Sequence, residues 1–236
     1  MGDALGLLSD MSLKTTLYDL LSQHDFKQVA ELARERKRVL PSLVSLTYDQ
    51  DPQIAWRAVE AVGVAGSSIA ENDPDFVREH LRRLQWLISE ESGGVCWHAP
   101  EAMAEIVRNR PQLFSDYIPI VICLIETIEA EDLEHFRPGT LRAIGRLADV
   151  ASEHGPTVLA AIESALSDPN PQARGMAVWC LGQLGRTEIL ADESALQTDG
   201  AAVELYEDSF ITSTTVAELY EQAISAQSVG GGGVRG

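Results

Sequence analysis

Residues 51–66 of this chain align without a gap with residues 170–185. The two segments read DPQIAWRAVEAVGVAG and NPQARGMAVWCLGQLG. Each opens with a turn-forming residue and a proline, which suits the first position of a helix, and each ends in glycine after an apolar stripe. Recurrence of this kind is typical of folds built from stacked repeats, in which a single unit cannot bury its apolar face alone.

Two weaker copies lie between the clear ones. Ala99–Ile106 matches the first copy 41 positions on, and Leu141–Ala148 matches it 82 positions on. The spacings of the corresponding small residues are 41, 41 and 37 positions, near the period of about 40 residues that helix-pair repeats show. These small residues are Gly63, Ala104, Gly145 and Gly182.

Segments between the copies also have helical periodicity, as in the apolar stripe of residues 77–88. Residues 118–125 are rich in β-branched side chains and could form a buried strand. Their apolar spacing continues helically to Ile128 and no partner strand is evident, so we favour a helix. The predicted helices are 12–22, the pairs 25–36/38–48, 52–65/74–89, 98–108/115–129 and 137–151/156–167, then 171–185 and 213–226.

The expected fold is all-α, a right-handed α-α superhelix of about five helix pairs with a helix added at each end. Residues 1–24 form the N-terminal leader and capping helix, and residues 25–186 form the repeats. Residues 187–227 combine an acidic, weakly patterned segment with a C-terminal capping helix. Residues 228–236 form a flexible Gly-rich tail.

The Asp-Pro start, the Ala-x-x-Ala spacing and the end Leu181-Gly182-Gln183-Leu184-Gly185 resemble HEAT repeats, particularly the short prokaryotic type also found in phycobilin lyase subunits. Residues 89–105 resemble a segment of uncharacterised HEAT-like proteins from anaerobic sulfate-reducing bacteria. The resemblance spans residues 25–186 and implies a curved stack with the second helix of each pair on the concave side. The copies at 99–106 and 141–148 lack the Asp-Pro start, which leaves their edges open.

Charge and cysteine content limit the classes of function. The 236 residues hold 36 acidic and 18 basic side chains, a net charge of -18, which argues against binding nucleic acid, as some HEAT-like repair proteins do, or anionic membranes. Cys96, Cys123 and Cys180 form no CxxC pair, so we expect neither a disulfide framework nor a zinc site. Residues 1–13 do not resemble a signal peptide and residues 118–125 are too few to span a bilayer, so we expect a cytoplasmic protein.

Catalytic and cofactor motifs are weak. Cys96-Trp97-His98 with Glu101 could share a metal, but a zinc site normally needs four ligands, and the alternative is a turn with a core tryptophan ahead of a helix. The five histidines are scattered, and neither a Gly-x-Ser-x-Gly nor a phosphate-binding loop occurs. The sequence therefore predicts no catalytic residue, no cofactor and no metal, and we expect the protein not to be an enzyme.

The most distinctive polar feature is a set of basic residues at 34–38 and 78–83 in an acidic chain. Arg78 and Arg82 lie four residues apart on the second helix of their pair, the helix expected on the concave side. Arginines there bind carboxylates of an acidic partner well. Alternatively, they pair with acidic residues nearby in the sequence, namely Glu31, Glu35, Asp75 and Glu79.

Two further alternatives stay open. The acidic stretches 126–134 and 188–208 are either solvated loops or a surface that meets a basic partner or the chain's own basic face. The function we favour is a protein-binding adaptor or scaffold, and the rival is an auxiliary subunit of a protein-modifying or cofactor-handling complex, by resemblance to bilin lyases. The predicted contacts with the partner protein are Arg78, Arg82, Arg83, Trp97, His98 and Glu101.

Overall fold

The computed structural model describes residues 2–88, 98–151 and 155–230, with side chains between residues 12 and 226 of these ranges. They form α-helices joined by short turns, together with a two-stranded β-hairpin. The chain divides into two compact units. The first comprises Met1–Ser115 and Asp208–Phe210, and the second comprises Asp116–Glu207 and Ile211–Gly236.

The first unit is built around one long central helix. Its helices are α1 Gly2–Ser22, α2 Phe26–Glu35, α3 Val39–Leu46, α4 Pro52–Ala70, α5 Pro74–Ile88 and α6 Ala99–Asn109. The central helix α4 packs against α2, α3, α5 and α6. It is buried on most of its circumference because small residues alternate with valine and isoleucine along it. Helix α4 therefore forms the hydrophobic core of this unit.

In the second unit, the corresponding central helix is α10. The elements are α7 Ile118–Ala130, α8 Arg137–Arg146, α9 Pro156–Ser164, α10 Pro171–Gln183, β1 Ala202–Glu207, β2 Phe210–Thr215 and α11 Val216–Gly230. Two 3₁₀ segments, Thr187–Asp192 and Ser194–Thr198, join α10 to the hairpin. Helix α10 packs against α8, α9, α11 and β1, and residues 175–181 of α10 are all buried.

Side-chain caps fix the start of both central helices, as the repeated motif predicts. The Asp51 carboxylate accepts a hydrogen bond from the Gln53 backbone N–H at 2.9 Å, and the Asn170 side chain accepts one from the Gln172 N–H at 3.0 Å. A proline follows each cap in the first helical turn, where its missing N–H leaves no bond unmade. The Asp-Pro and Asn-Pro pairs are thus equivalent helix starts.

Glycines of the repeat allow neighbouring helices to approach closely. A Cβ atom built on Gly63 would lie 2.6 Å from the carbonyl oxygen of Glu105 in α6. A Cβ atom on Gly145 of α8 would collide with the Trp179 ring of α10. Since both glycines occupy the same place in the repeat, the periodic small residues mark where helices that carry successive copies of the repeat cross.

A buried arginine organises part of the first unit. The Arg57 guanidinium donates to the carbonyl oxygens of Leu21 at 3.1 Å, Ser22 at 3.2 Å and Ser209 at 3.1 Å. It also lies 5.5 Å from the Phe210 ring centroid. Arg57 is only 6% exposed, and a buried charge without partners would strongly destabilise the folded state. These hydrogen bonds supply the partners.

The hairpin lies in a segment for which the sequence predicts only weak patterning, and the all-α class itself is confirmed. In β1, the buried Val203 and Leu205 lie on either side of the exposed Glu204, but Tyr206 is buried as well, so the alternation is incomplete. The turn contains no glycine. Asp208 and Ser209 take the positive φ values that it requires, 50° and 66°. The last helix begins at Val216 rather than at 213, because residues 213–215 belong to β2.

Helix ends also differ from the prediction in places. Helix α1 begins at Gly2 rather than at 12, and α4 continues to Ala70 rather than ending at 65. Helix α8 ends at Arg146, after which residues 147–150 form hydrogen-bonded turns. Among the helices of the described ranges, none combines the length and the apolar character that a bilayer crossing requires.

Candidate protein-docking surface

Helix α5 has one buried and one solvent-facing side. The apolar stripe predicted from the sequence is buried, with Val77 and Leu81 fully inaccessible. On the other side, Arg82 and Arg83 expose 63% and 64% of their side chains, and Trp86 is 61% exposed. We call Arg82, Arg83 and Trp86 the α5 outer face.

One carboxylate organises the two arginines of the α5 outer face. Arg82 Nη2 lies 2.5 Å from Glu79 Oε2, and Arg83 Nε lies 3.3 Å from Glu79 Oε1. The hydrogen bond from Arg82, together with the charges of both arginines, lowers the pKa of Glu79 below its ordinary value. Because these groups are well exposed, solvent screens the ion pairs and they contribute little to stability.

Arg78 lies on the same helix but turns toward α6. Its Nη2 donates to the backbone carbonyl of Leu113, and its guanidinium lies 5.5 Å from the centroid of the Phe114 ring. Phe114 itself is fully buried. Arg78 therefore joins α5 to the segment that follows α6.

Other members of the basic set pair with acidic residues at the end of α4 and the start of α5. Glu71 accepts from Arg34 at 3.2 Å and from Arg110 at 2.7 Å, and Lys37 pairs with Asp73. These bonds, above all those from Arg34 and Lys37, lower the pKa values of Glu71 and Asp73. Arg34 and Lys37 thus connect the end of α2 and the turn before α3 to the α4–α5 turn.

His80 lies on the buried side of α5. Its ring stacks on Phe76 at 4.5 Å between centroids, and Nδ1 lies 2.9 Å from the Phe76 carbonyl oxygen. Burial lowers the pKa of His80 and outweighs the opposing hydrogen bond with the Phe76 carbonyl, while the charges of Arg83 and Glu79 have smaller effects of opposite sign. The neutral imidazole is therefore the stable form at neutral pH.

The predicted pair His98 and Glu101 does meet at the start of α6. His98 Nδ1 lies 3.1 Å from Glu101 Oε1, and the His98 ring packs against Trp56 at 4.6 Å. Glu101 is 3% exposed, and its Oε2 has no hydrogen-bond partner within the described part of the chain. Trp97 and Cys96 lie outside the described residues.

Metal and thiol chemistry find little support in the described ranges. No group of three or more His, Cys, Asp or Glu side chains there is placed to hold a metal ion. Burial raises the pKa of the Cys180 thiol far above its ordinary value, and Cys123 is exposed with a pKa raised by desolvation and by Glu126. Both thiols are therefore protonated at neutral pH and poor nucleophiles.

Trp86 is the exposed aromatic residue of this surface that the sequence reasoning missed. It does not belong to the apolar stripe of α5, whose members recur at 77, 81, 84 and 88, and it lies four positions after Arg82. An apolar residue away from the buried stripe of an amphipathic helix is expected to face solvent. That signal was available in the sequence.

Comparison with known proteins gives a family match, a relative in sequence and a similar solved structure. Residues 134–184, which span α8 to α10, match a family described as HEAT-like repeat. An uncharacterised protein of Archaeoglobus fulgidus is 26% identical over 181 residues, covering 75% of this chain and 91% of the relative. The crystal structure of an archaeal HEAT-like repeats protein from Thermococcus onnurineus NA1 superposes with a TM-score of 0.42 at 17% identity, covering 94% of this chain and 83% of that one.

Proposed function

We propose that this chain, of which residues 134–184 match a HEAT-like repeat family, is a non-catalytic scaffold that docks an acidic segment of another protein on the α5 outer face. Folds of this kind commonly serve as protein-interaction scaffolds. The observation that carries the proposal is the exposed Trp86 beside two exposed arginines.

The chemistry of these three side chains suits a protein interface. Tryptophan and arginine are among the residues that contribute most of the binding energy at interfaces. A tryptophan that is 61% exposed also leaves a large apolar area in water, which a partner can cover. The indole would supply the apolar anchor, while the arginines supply directional contacts to carboxylates.

Charge favours an acidic partner segment. Helix α5 holds three arginines against Asp75 and Glu79, whereas the whole chain carries a net charge of -18. A locally basic helix attracts an acidic peptide, whereas the net negative charge of the whole chain opposes the association of two copies. Because the Glu79 pairs are weak, the arginines can exchange this carboxylate for one of the partner at little energetic cost.

The α5 outer face is also held in place before any partner arrives. Val77, Leu81, Leu84 and Ile88 anchor the opposite side of the helix in the core of the first unit. Arg78 adds a bond to the Leu113 carbonyl. A preformed helix face loses little conformational entropy on binding.

The test compares two charge reversals of equal size. Arg82→Glu with Arg83→Glu changes the net charge as much as Lys27→Glu with Arg36→Glu, whose side chains are exposed elsewhere in the first unit. Tagged chains are purified from the source cells and their co-purifying proteins are quantified. We expect the first double variant and Trp86→Ala to lose an acidic partner that the second double variant retains.

Melting temperatures of all variants serve as the folding control. Each should stay close to that of the unaltered chain, because only exposed side chains are replaced. Retention of every co-purifying protein by both the Arg82/Arg83 and the Trp86 variants would contradict the proposal. A visible absorption spectrum of the same preparation tests the rival function, since a bound chromophore would favour a cofactor-handling subunit.

A further inference from the structure

A cavity of about 230 Å³ opens in the second unit, between α10, α11 and the end of β1. Its walls include Trp179 and Gly182 of α10, Glu207 of β1, and Gln222 and Ala226 of α11. This volume is large enough for a side chain or a small molecule of similar size. None of the lining residues belongs to the α5 outer face, so the cavity and the docking surface are independent of each other.

The repeat pattern explains why space remains here. At Gly145 of α8, the position equivalent to Gly182, the Trp179 ring of α10 fills the space beside the glycine. At Gly182, the nearest atom to a built Cβ is Ala223 Cβ, at 3.1 Å. Helix α11 covers the last repeat with alanines in place of a large side chain. Helices α10 and α11 are therefore in close contact at Gly182, and the space beside this contact stays unfilled.

Polar groups give the cavity a defined chemistry. Glu207 Oε1 accepts a hydrogen bond from Trp179 Nε1 at 2.8 Å, which holds the carboxylate at the cavity wall. A carboxylate keeps further acceptor sites after one such bond. The amides of Gln183 and Gln222 also line the cavity and make no hydrogen bond with the residues that the structure describes. All of these groups can accept hydrogen bonds from a ligand.

The surroundings favour a positive charge. Residues 202–226, which supply β1 and most of α11, contain five acidic side chains and no lysine or arginine. The Trp179 ring already carries a guanidinium, that of Arg142, 5.3 Å from its centroid, and Arg142 also donates to the Tyr206 carbonyl. This like charge opposes a second cation at the indole itself, so the attraction for a cation comes from Glu207 and the other acidic side chains of residues 202–226.

We propose that this cavity binds a guanidinium or ammonium group on a short aliphatic chain, with Glu207 as the counter-ion and the Gln183 and Gln222 amide oxygens as additional acceptors. The cation belongs either to a small amine or to an arginine or lysine side chain of another protein. Both sources share the same chemistry at the cavity wall.

Calorimetric titration of the full chain with butylguanidine tests the proposal, with butylurea as the uncharged counterpart of the same shape. We expect saturable binding of butylguanidine only. Glu207→Gln should weaken it at least about tenfold, since an acceptor for the Trp179 N–H remains while the charge is lost. The matched control is Glu221→Gln, an equal charge change at an exposed α11 residue outside the cavity wall, which should leave the affinity unchanged.

A second variant tests the location. Ala226 is exposed on α11, so Ala226→Leu should block the cavity without lowering the melting temperature, and binding should disappear. A blocked Gly-Arg-Gly peptide distinguishes the sources, because a cavity that accepts it takes a protein side chain and one that rejects it takes a free amine. Absence of butylguanidine binding at millimolar concentration, equal binding of butylurea, or unchanged affinity of Glu207→Gln would each overturn the proposal.

Discussion

Replacing Gly63 by alanine tests the close packing of the central helices. The new Cβ atom would lie 2.6 Å from the Glu105 carbonyl oxygen and 2.7 Å from Asn109 Nδ2. Ordinary contacts begin near 3.4 Å, so α4 and α6 must separate by several tenths of an ångström. The atoms in the way cannot turn aside easily, because one is backbone and the Asn109 amide donates to that same oxygen at 2.8 Å.

The expected magnitude combines two opposing effects. Overpacking of a well-filled core costs about 1–3 kcal/mol, and a collision with bonded backbone belongs at the upper end of that range. Alanine in place of glycine stabilises a helix interior by about 1 kcal/mol. Gly63→Ala should therefore lower the free energy of unfolding by about 2 kcal/mol.

Gly66→Ala is the matched control in the same helix. Its Cβ would lie 3.3 Å from Ile106 Cγ1, a side-chain atom that can shift, so the same gain in helix propensity applies with little collision. We expect this variant to stay within about 1 kcal/mol of the unaltered chain. Urea unfolding followed by circular dichroism measures both, and hydrogen exchange of α4 and α6 assigns the loss to the first unit. Equal stabilities of the two variants would refute the reasoning.

The titrating and capping groups can be tested in the same way. Burial lowers the pKa of His80, so the unfolded chain binds a proton at a higher pH than the folded chain does. The free energy of unfolding should therefore fall as the pH drops below about 6.5. In the His80→Leu variant, the melting temperature should depend less on pH between pH 7.5 and 5.5. In a Cys96→Ser background, a thiol reagent should titrate Cys123 in the folded chain and reach Cys180 only after unfolding. Asn170→Ala removes the α10 cap and should cost about 1 kcal/mol in thermal unfolding, whereas Asn170→Gly should cost a few tenths.

The helices of the repeats were predictable because their signals are local. The stripe of Val77, Leu81, Leu84 and Ile88 sets which side of α5 is buried, and the caps at Asp51 and Asn170 set where α4 and α10 begin. Each signal acts within a few residues, so the printed sequence carries it completely.

The hairpin was missed for an equally local reason. Its strands are short, and its turn at Asp208 and Ser209 lacks the glycine that usually marks a tight hairpin. Val203 and Leu205 flank the exposed Glu204, but the buried Tyr206 interrupts the alternation. Strands of six residues contain too few alternating apolar positions to be recognised within an acidic segment.

By itself, the sequence determined the all-α class, the repeat spacing and the starts of the central helices. The tertiary structure alone decided which charged groups meet, as with Arg34 and Glu71, which lie 37 positions apart, and Trp179 and Glu207, which lie 28 apart. It also decided that Arg78 turns inward while Arg82 and Arg83 face solvent. The reason is that periodicity and capping depend on neighbours in the chain, whereas ion pairs and cavities depend on where separate helices cross.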